Sequence, residues 1–346
     1  DTWTLFHSFA FDFSVWELWG ALAYGGKLVV VPKAVAQSPL DFYELACREK
    51  VTVLNQTPSA FAGFIEADAQ LRGALSLRAV VFGGEKLKPS SLLPWTARHG
   101  DEAIALVNMY GITETTVHVT YRRLRQADLE GACSVIGPQL AHLTLYILDG
   151  GTMQPAPIGV AGEMFVGGSG VARGYLNQPA LTEQKFVPNP FAGDPSPRLY
   201  RSGDLARRLA SGEIEFIGRI DNQVKIRGFR IELGEIEAQL MSHAAVQSAV
   251  VLVREDTPGD KRLVAYLVFD PAGIPSDPAG TLRAHLAAAL PDYMLPGAYV
   301  VLEALPLTNN GKLDTERLPR PETDAYARRQ YVAPTSALEE QLALLW

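Results

Sequence analysis

The spacing of apolar positions changes character twice along this chain of 346 residues. From residue 27 to about 120, short Val-, Leu- and aromatic-rich runs (KLVVV, VTVLNQ, RAVVFGG, AIALVNMY) alternate with stretches of helical period such as SPLDFYELACREK. That alternation predicts βαβ units and therefore a parallel sheet with helices on its faces. From about 143 to 219 the runs LTLYILD, GEMFVGG, RLYRSGDLARRL and GEIEFIGR are parted by Gly and Pro turns with little helical period between most of them, which predicts mostly antiparallel β-structure. Beyond Asp221 come a strand, QVKIRGFRI, and a helix, ELGEIEAQLMSHA, with Leu233, Ile236 and Leu240 on one face; more strands and another helix follow. The predicted class is α/β: a large N-terminal subdomain with flanked parallel sheets and a β-rich, barrel-like part, then a small α+β C-terminal subdomain. PRPETDAYARRQYVAPTS (319–336) is Pro-rich, charged and aperiodic and reads as a linker. After it, Ser336 and Glu339 have capping-box spacing ahead of Leu338, Leu342 and Leu345, which opens a helix. No internal repeat is visible.

Composition narrows the choice of partners. Lys and Arg number 31 against 38 Asp and Glu, a formal charge of −7, which argues against a surface for a phosphate backbone and hence against nucleic acid. No uninterrupted apolar stretch is long enough for a membrane helix, so no membrane partner is expected. Cys47 and Cys133 have no paired spacing for zinc or a redox disulfide, which fits a reducing compartment and a cytoplasmic location. The aromatic-rich FHSFAFDFSVWELW (6–19) follows Asp1 at once and reads as the middle of a domain, so both ends of the chain look trimmed.

Several segments carry candidate chemistry, each with a plainer alternative. VGGSGVARGYL (166–176) places its third glycine one position late for a dinucleotide fingerprint, and no GxxxxGK[ST] occurs. FGGEK (82–86) puts two glycines after a strand, where backbone could meet a flat ligand, or could simply turn. In NMYGITETT (108–116) the hydroxyls of Thr113, Thr115 and Thr116 surround Glu114, a set suited to a hard cation and phosphate oxygens; the alternative is a helix start capped by Thr113. Asp204 in YRSGDLARR can accept ribose hydroxyls or pair with surface arginine. EFIGRIDNQVKIRGFRIELGEIE (215–237) concentrates charge at an expected domain junction, as ligand site or solvated hairpin. Lys312 follows an Asn-Gly turn, reaching either a pocket or water.

The ordered succession FDFSVWE, NMYGITE, GEMFVGGSGVARGYL, YRSGDL, GRIDNQVKIRGFRIELGEIE, LPDYMLP and NGKLD resembles the signature of nonribosomal peptide synthetase adenylation domains, within the adenylate-forming superfamily shared with acyl-CoA synthetases and luciferases. The resemblance implies a two-step enzyme. It joins an amino-acid carboxylate to the α-phosphate of ATP, releasing pyrophosphate, then passes the acyl group to a phosphopantetheine thiol on a peptidyl carrier domain, in cis or in trans. It also implies residue roles. Gly84 and Glu85 flank adenine, Phe216 stacks on it, Asp204 and Arg219 hold the ribose, and Asn108 and Tyr110 complete the AMP site. Thr113 serves phosphate, Glu114 serves Mg2+, and Lys312 is the catalytic lysine bridging carboxylate and α-phosphate.

By the same resemblance the amino-acid pocket consists of Asp12, Phe13, Trp16, Asn55, Val81, Gly83, Met109, Val117 and His118, with Asp12 pairing the substrate ammonium. Asn55 and His118 in an otherwise apolar pocket suit a small hydroxylated side chain, and the set resembles threonine-activating members; the alternative is that the two bond each other or the backbone. The implied organisation is a core at 1–219, a mobile subdomain at 220–320 with its hinge at Asp221, a linker at 321–335 and the start of a carrier-domain helix at 336–346. A Ser/Thr/Gly-rich phosphate loop is expected upstream of Asp1, Ile112 stands where the family usually has proline, and Ser202 replaces the commoner threonine. Competing expectations are an acyl-CoA-synthetase-like activity and a noncatalytic docking remnant for a carrier or an MbtH-like helper protein.

Overall fold

A computed structural model describes residues 1–131, 133–192, 197–221, 223–226, 228–256, 261–270, 273–306, 313–322 and 325; Lys312 and the helix expected over 336–346 lie outside the described residues. The chain divides into two compact units: Asp1–Asp221 with Lys225–Arg230, and Asn222–Val224 with Ile231–Trp346.

The first unit opens with strands β1 (Thr2–Leu5), β2 (Lys27–Val30), β3 (Val53–Gln56), β4 (Ala79–Phe82), β5 (Ala105–Asn108) and β6 (Arg122–Leu124), ordered β2-β1-β3-β4-β5-β6. The first five run parallel and β6 returns antiparallel on β5. Helices α1 (Phe13–Leu22), α2 (Lys33–Ala36), α3 (Pro39–Arg48), α4 (Pro58–Leu71) and α5 (Leu93–His99) connect them. Local sequence explains two of the helix starts. Ser38 and Thr57 accept from the backbone N–H three residues on, Asp41 and Ala60, and each is followed by a proline whose missing donor costs nothing there.

Register decides which residues meet. Leu54, Val80 and Leu106 pair across adjacent strands and face a helix-covered core with Phe42, Phe61, Phe64 and Trp95. Asn55, Val81 and Val107, one position on, pair in the next row and so point to the opposite face. There Val81 and Val107 pack with Phe13 and Met109, while Trp3 and Val53 pack with Ala21 of α1. Asn55 is thus a fully buried amide in an apolar row. The chain leaves β1 toward β2 on one side, whereas β3 lies on the other. A crevice at the carboxyl ends of such a pair is where open α/β sheets bind ligands.

After α6 (Gln126–Leu129) a second sheet contains β7 (Ser134–Val135), β8 (Leu143–Leu148), β9 (Ala161–Gly168), β10 (Phe186–Pro188), β11 (Arg198–Arg208) and β12 (Ile214–Arg219), with α7 (Pro179–Lys185) before β10. Its order is β7-β12-β11-β9-β8 with β10 on β11, every pairing antiparallel, as the Gly- and Pro-punctuated runs predict. The β11–β9 ladder slips register between Arg201 and Leu205, and across this irregularity Ser202, Gly203 and Asp204 are buried in succession.

QVKIRGFRI, expected as one strand, is a two-stranded ribbon of β13 (Gln223–Ile226) and β14 (Phe229–Glu232). Gly228 breaks it, at φ +83°, a conformation open to glycine. The second unit contains α8 (Leu233–Met241), β15 (Val246–Arg254), β16 (Arg262–Phe269), α9 (Pro278–Ala287) and β17 (Ala298–Val301), with β16 antiparallel to β15 and parallel to β17. Leu233, Ile236 and Leu240 are buried along one face of α8. Among the described residues no helix is long and apolar enough to cross a membrane.

One backbone crossing fixes the loop after β5. A β-carbon on Gly111 would overlap the Val117 carbonyl and meet His118 Cα at 2.8 Å, so only glycine lets the two segments touch. Gly111→Ala is expected to lower stability by at least about 2 kcal/mol in urea unfolding, whereas Gly131→Ala, whose added carbon meets only the Asp128 carbonyl at 3.4 Å, should change it by less than about 0.5 kcal/mol.

Candidate active site

Eight of the nine expected pocket residues form one connected cluster. Phe13, Val81 and Met109 are packed together with Trp16 and Val117 against them. The His118 ring stands edge-on to Phe13 (5.3 Å, 88°) and to Trp16 (4.9 Å, 84°), and Trp16 Nε1 donates to Asn55 Oδ1 at 2.9 Å. A β-carbon on Gly83 would sit 3.2 Å from the Phe13 ring and 3.5 Å from His118, so the glycine permits this approach. Asp12, the ninth, immediately precedes α1 and makes no side-chain cap. Burial raises its carboxyl pKa, offset in part by a hydrogen bond with Thr113 and by the Lys225 ammonium.

The chemistry of this cluster lies in what is unpaired. Asp12 Oδ2, Asn55 Nδ2 and His118 Nε2 are buried without a hydrogen-bond partner. Asn55 and His118 therefore do not satisfy each other: the amide oxygen goes to Trp16, and the amide nitrogen and imidazole Nε2 remain available. Burial drives the His118 pKa down to about 3, so the ring is neutral throughout the physiological range. The backbone that aims it is strained. Thr116 and Val117 both have positive φ (67° and 64°), rare for β-branched residues, and His118 N donates to Thr116 O at 2.8 Å, closing a γ-turn centred on Val117.

A second group of expected residues meets on β11 and β12. Asp204 is fully buried, which removes the surface-pairing alternative; Oδ1 accepts from Arg219 at 2.9 Å and Oδ2 from the Tyr110 hydroxyl. Burial, then Asp204, hold the Tyr110 hydroxyl well above its ordinary pKa. Arg219 also grips Asp221 with two nitrogens, at 2.8 and 2.6 Å. Phe216 lies against Tyr110 (5.9 Å between ring centres) and offers a flat apolar face. Glu85 accepts from Ser59 N, Ser59 Oγ and Gly228 N, and Gly84, at φ +81°, presses toward Phe11 and Gly228. Asn108 donates to Val135 O at 2.9 Å, so its amide ties β5 to β7.

Thr113–Thr115 forms a 3-10 turn whose cap position is Ile112, without a side-chain cap, so Thr113 does not cap a helix. Glu114 is held by the protein's own groups. Its oxygens accept from Tyr175 and Tyr200 hydroxyls at 2.7 Å each and from Arg230 at 2.9 Å. Burial would raise this carboxyl, but Arg230 and the two tyrosines outweigh it and hold the pKa below the usual value. No grouping of three or more His, Cys, Asp or Glu that could hold a metal occurs among the described residues. The Glu114 carboxylate is neutralised here by the Arg230 guanidinium. Arg230, Tyr175, Tyr200 and the desolvated Lys225, whose pKa is lowered by burial, were not singled out from sequence. The charge density of 215–237 was the available signal for Arg230 and Lys225.

A flanked parallel sheet with unpaired polar groups beside its carboxyl ends, next to an aromatic-lined carboxylate–arginine pair, describes a protein built to hold small molecules. The chain belongs to the AMP-binding enzyme family: residues 1–176 match the AMP-binding enzyme domain and residues 235–312 the AMP-binding enzyme C-terminal domain. A dimodular nonribosomal peptide synthase of Bacillus subtilis is 54% identical over 326 residues, covering 93% of this chain and 14% of that protein. A solved nonribosomal peptide synthetase protein containing adenylation and PCP domains, bound to a vinylsulfonamide inhibitor, has TM-score 0.79 at 32% identity over 91% of this chain and 52% of its own. A four-domain nonribosomal peptide synthetase bound to AMP and glycine has TM-score 0.56 at 35% identity, covering 99% of this chain and 24% of its own. The chain thus spans about half or less of the length of these relatives.

Two outcomes follow from the electrostatics. With a folded pKa of about 3 against an ordinary 6.5, His118 takes up a proton in the unfolded chain before the folded one, so stability falls as pH drops below 6.5. Between pH 6.5 and 4.5 the wild type should lose about 2 to 3 kcal/mol more than His118→Phe in urea unfolding. The Glu114 contribution has the opposite origin but the same sign: its depressed pKa stabilises above about pH 4.5 and is lost as pH falls through the folded value. Arg230→Ala should cost about 3 kcal/mol at pH 7 by leaving that carboxylate buried without a counter-charge, and adding Glu114→Gln should recover part of the loss.

Proposed function

We propose that this chain activates L-threonine, or a closely similar small hydroxylated amino acid, as the adenylate in nonribosomal peptide synthesis, and then forms a thioester with the phosphopantetheine arm of a peptidyl carrier domain. The observation that carries this reading is the trio of unpartnered buried polar atoms, Asp12 Oδ2, Asn55 Nδ2 and His118 Nε2, on an otherwise apolar cluster. An ammonium satisfies the carboxylate. A hydroxyl serves the amide and imidazole, while the methyl of threonine meets Val81, Met109 and Val117. Valine would leave both polar groups unpaired, and sites built around a hydroxyl reject such analogues by about 10⁴-fold or more.

In the first step a carboxylate oxygen of the substrate bonds to the α-phosphorus of ATP, and the bond from that phosphorus to pyrophosphate breaks. In the second, the carrier thiol, having given up its proton, attacks the acyl carbon and AMP leaves. Asp204 and Arg219 are assigned to the ribose, with Phe216, Tyr110, Gly84, Glu85 and Asn108 around the nucleotide and Thr113 toward phosphate. Lys312 is assigned to the oxygens on which charge grows, where a fixed cation stabilises the transition state more than the ground state. The core 1–219, the subdomain 220–320 turning at Asp221, the linker 321–335 and the carrier-helix start at 336–346 remain the proposed organisation. An MbtH-like protein is a proposed helper. The synthetase relatives, one of them bound to AMP and glycine, support the reaction class.

The test is amino-acid-dependent pyrophosphate exchange by the natural polypeptide that carries this chain. Threonine should support exchange with a kcat/KM about 10⁴-fold above that of valine, and Lys312→Ala or Asp12→Ala should reduce it by about 10²- to 10³-fold. Exchange with octanoate and not threonine would establish an acyl-CoA-synthetase-like activity instead. Exchange with no substrate and no binding of a threonyl-adenylate analogue would leave a docking remnant.

A further inference from the structure

The hydrogen bond from Trp16 to Asn55 has a consequence for which substrates the pocket accepts. An indole nitrogen can only donate, so the Asn55 atom 2.9 Å from Trp16 Nε1 must be the amide oxygen. Chemistry alone therefore fixes the amide orientation, and the other arm must be the NH2 group, which is buried and unpartnered. An amide without such an anchor could turn over and present either a donor or an acceptor. Here it presents a donor.

The same indole holds the second polar group. Its ring stands edge-on to His118 at 4.9 Å, and it is itself braced edge-on by Trp3 at 5.7 Å and 62°. Asn55 is fully buried on β3, where its register partner Val81 offers no rival hydrogen bond.

We propose that Trp16 is a positioning residue for substrate selection: its N–H locks the Asn55 amide with the NH2 group as an obligate donor, so that the pocket demands a hydrogen-bond acceptor on the substrate side chain. This rests on the reading of the cluster as an amino-acid pocket and deepens it. A hydroxyl meets the demand because its oxygen accepts from Asn55 while its proton remains for the neutral His118. An ammonium-bearing side chain would oppose the Asn55 donor with another donor, and an alkyl side chain would leave it unsatisfied.

The test replaces Trp16 by 3-benzothienylalanine, in which sulfur takes the place of the N–H and the shape is kept, in the natural polypeptide that carries this chain. Trp16→Phe serves as a second variant. Pyrophosphate exchange is followed with threonine, valine and 2,3-diaminopropionate. For the benzothienyl variant the expected result is a rise of about tenfold in KM for threonine with kcat changed less than about threefold. The ratio of kcat/KM for threonine over valine should fall by the same order, with a thermal midpoint lowered by no more than a few degrees, as loss of one buried hydrogen bond entails. A ratio that stays within about twofold of wild type, alongside threonine-dependent exchange by the wild type, would overturn the positioning role and leave the pocket assignment standing. Absence of threonine-dependent exchange by the wild type would overturn both.

Discussion

Three polar atoms in and beside one aromatic cluster, stripped of water and given no partner, set the terms for the candidate pocket of the first unit. An unpaired buried amide or imidazole costs roughly 1 to 3 kcal/mol, and a carboxylate costs more. A folded chain with Asp12 Oδ2, Asn55 Nδ2 and His118 Nε2 in that condition must recover the free energy elsewhere. The helix-packed side of the first sheet is where it does so: Phe42, Phe61, Phe64, Trp95 and their neighbours form a continuous apolar core. The opposite side carries α1, Asn55 and His118, so one sheet separates the stabilising face from the face that bears these two unpaired groups.

Backbone geometry follows the same division. Left-handed Thr116 and Val117, the γ-turn and the glycine crossing at Gly111 all fall within the ten residues after β5, and together they set His118 against Trp16 and Phe13. Strain of this kind persists only where the surroundings hold it, and here a packed aromatic trio does. The β2-β1-β3 order adds the crevice: residues just past β1 and at the end of β3 are brought side by side without any special sequence signal.

Much of this was legible in advance, and the rest was hidden for definite reasons. KLVVV, VTVLNQ, RAVVFGG and AIALVNMY each contain a strand of the parallel sheet, because an apolar β-branched run bounded by turn residues has few other uses. Thr2–Leu5 carries no such signal, since four residues beside an aromatic-rich segment have no period. Strand order is invisible locally, as it depends on pairings between residues distant in sequence. The split of QVKIRGFRI turned on one glycine at positive φ. Glu114 stands out in sequence by its hydroxyl neighbours, but its partners lie 61, 86 and 116 residues away, and no local pattern joins them.

The two halves of the candidate site differ in how they tolerate having no ligand. Asp204 has Arg219 and Tyr110, and Glu114 has Arg230, Tyr175 and Tyr200; each anion is neutralised by the protein itself. A ligand arriving there exchanges one set of hydrogen bonds for another, so the net gain is small and selectivity rests on shape and on the aromatic face of Phe216. On the other side Asn55 and His118 have nothing to give up. A matching side chain there gains almost the whole desolvation cost back, and a mismatched one gains none of it. Discrimination between substrates should therefore concentrate on the Trp16–Asn55–His118 side even though most of the charge lies on the other, because it is unpaired groups, and not charged ones, that distinguish one ligand from another.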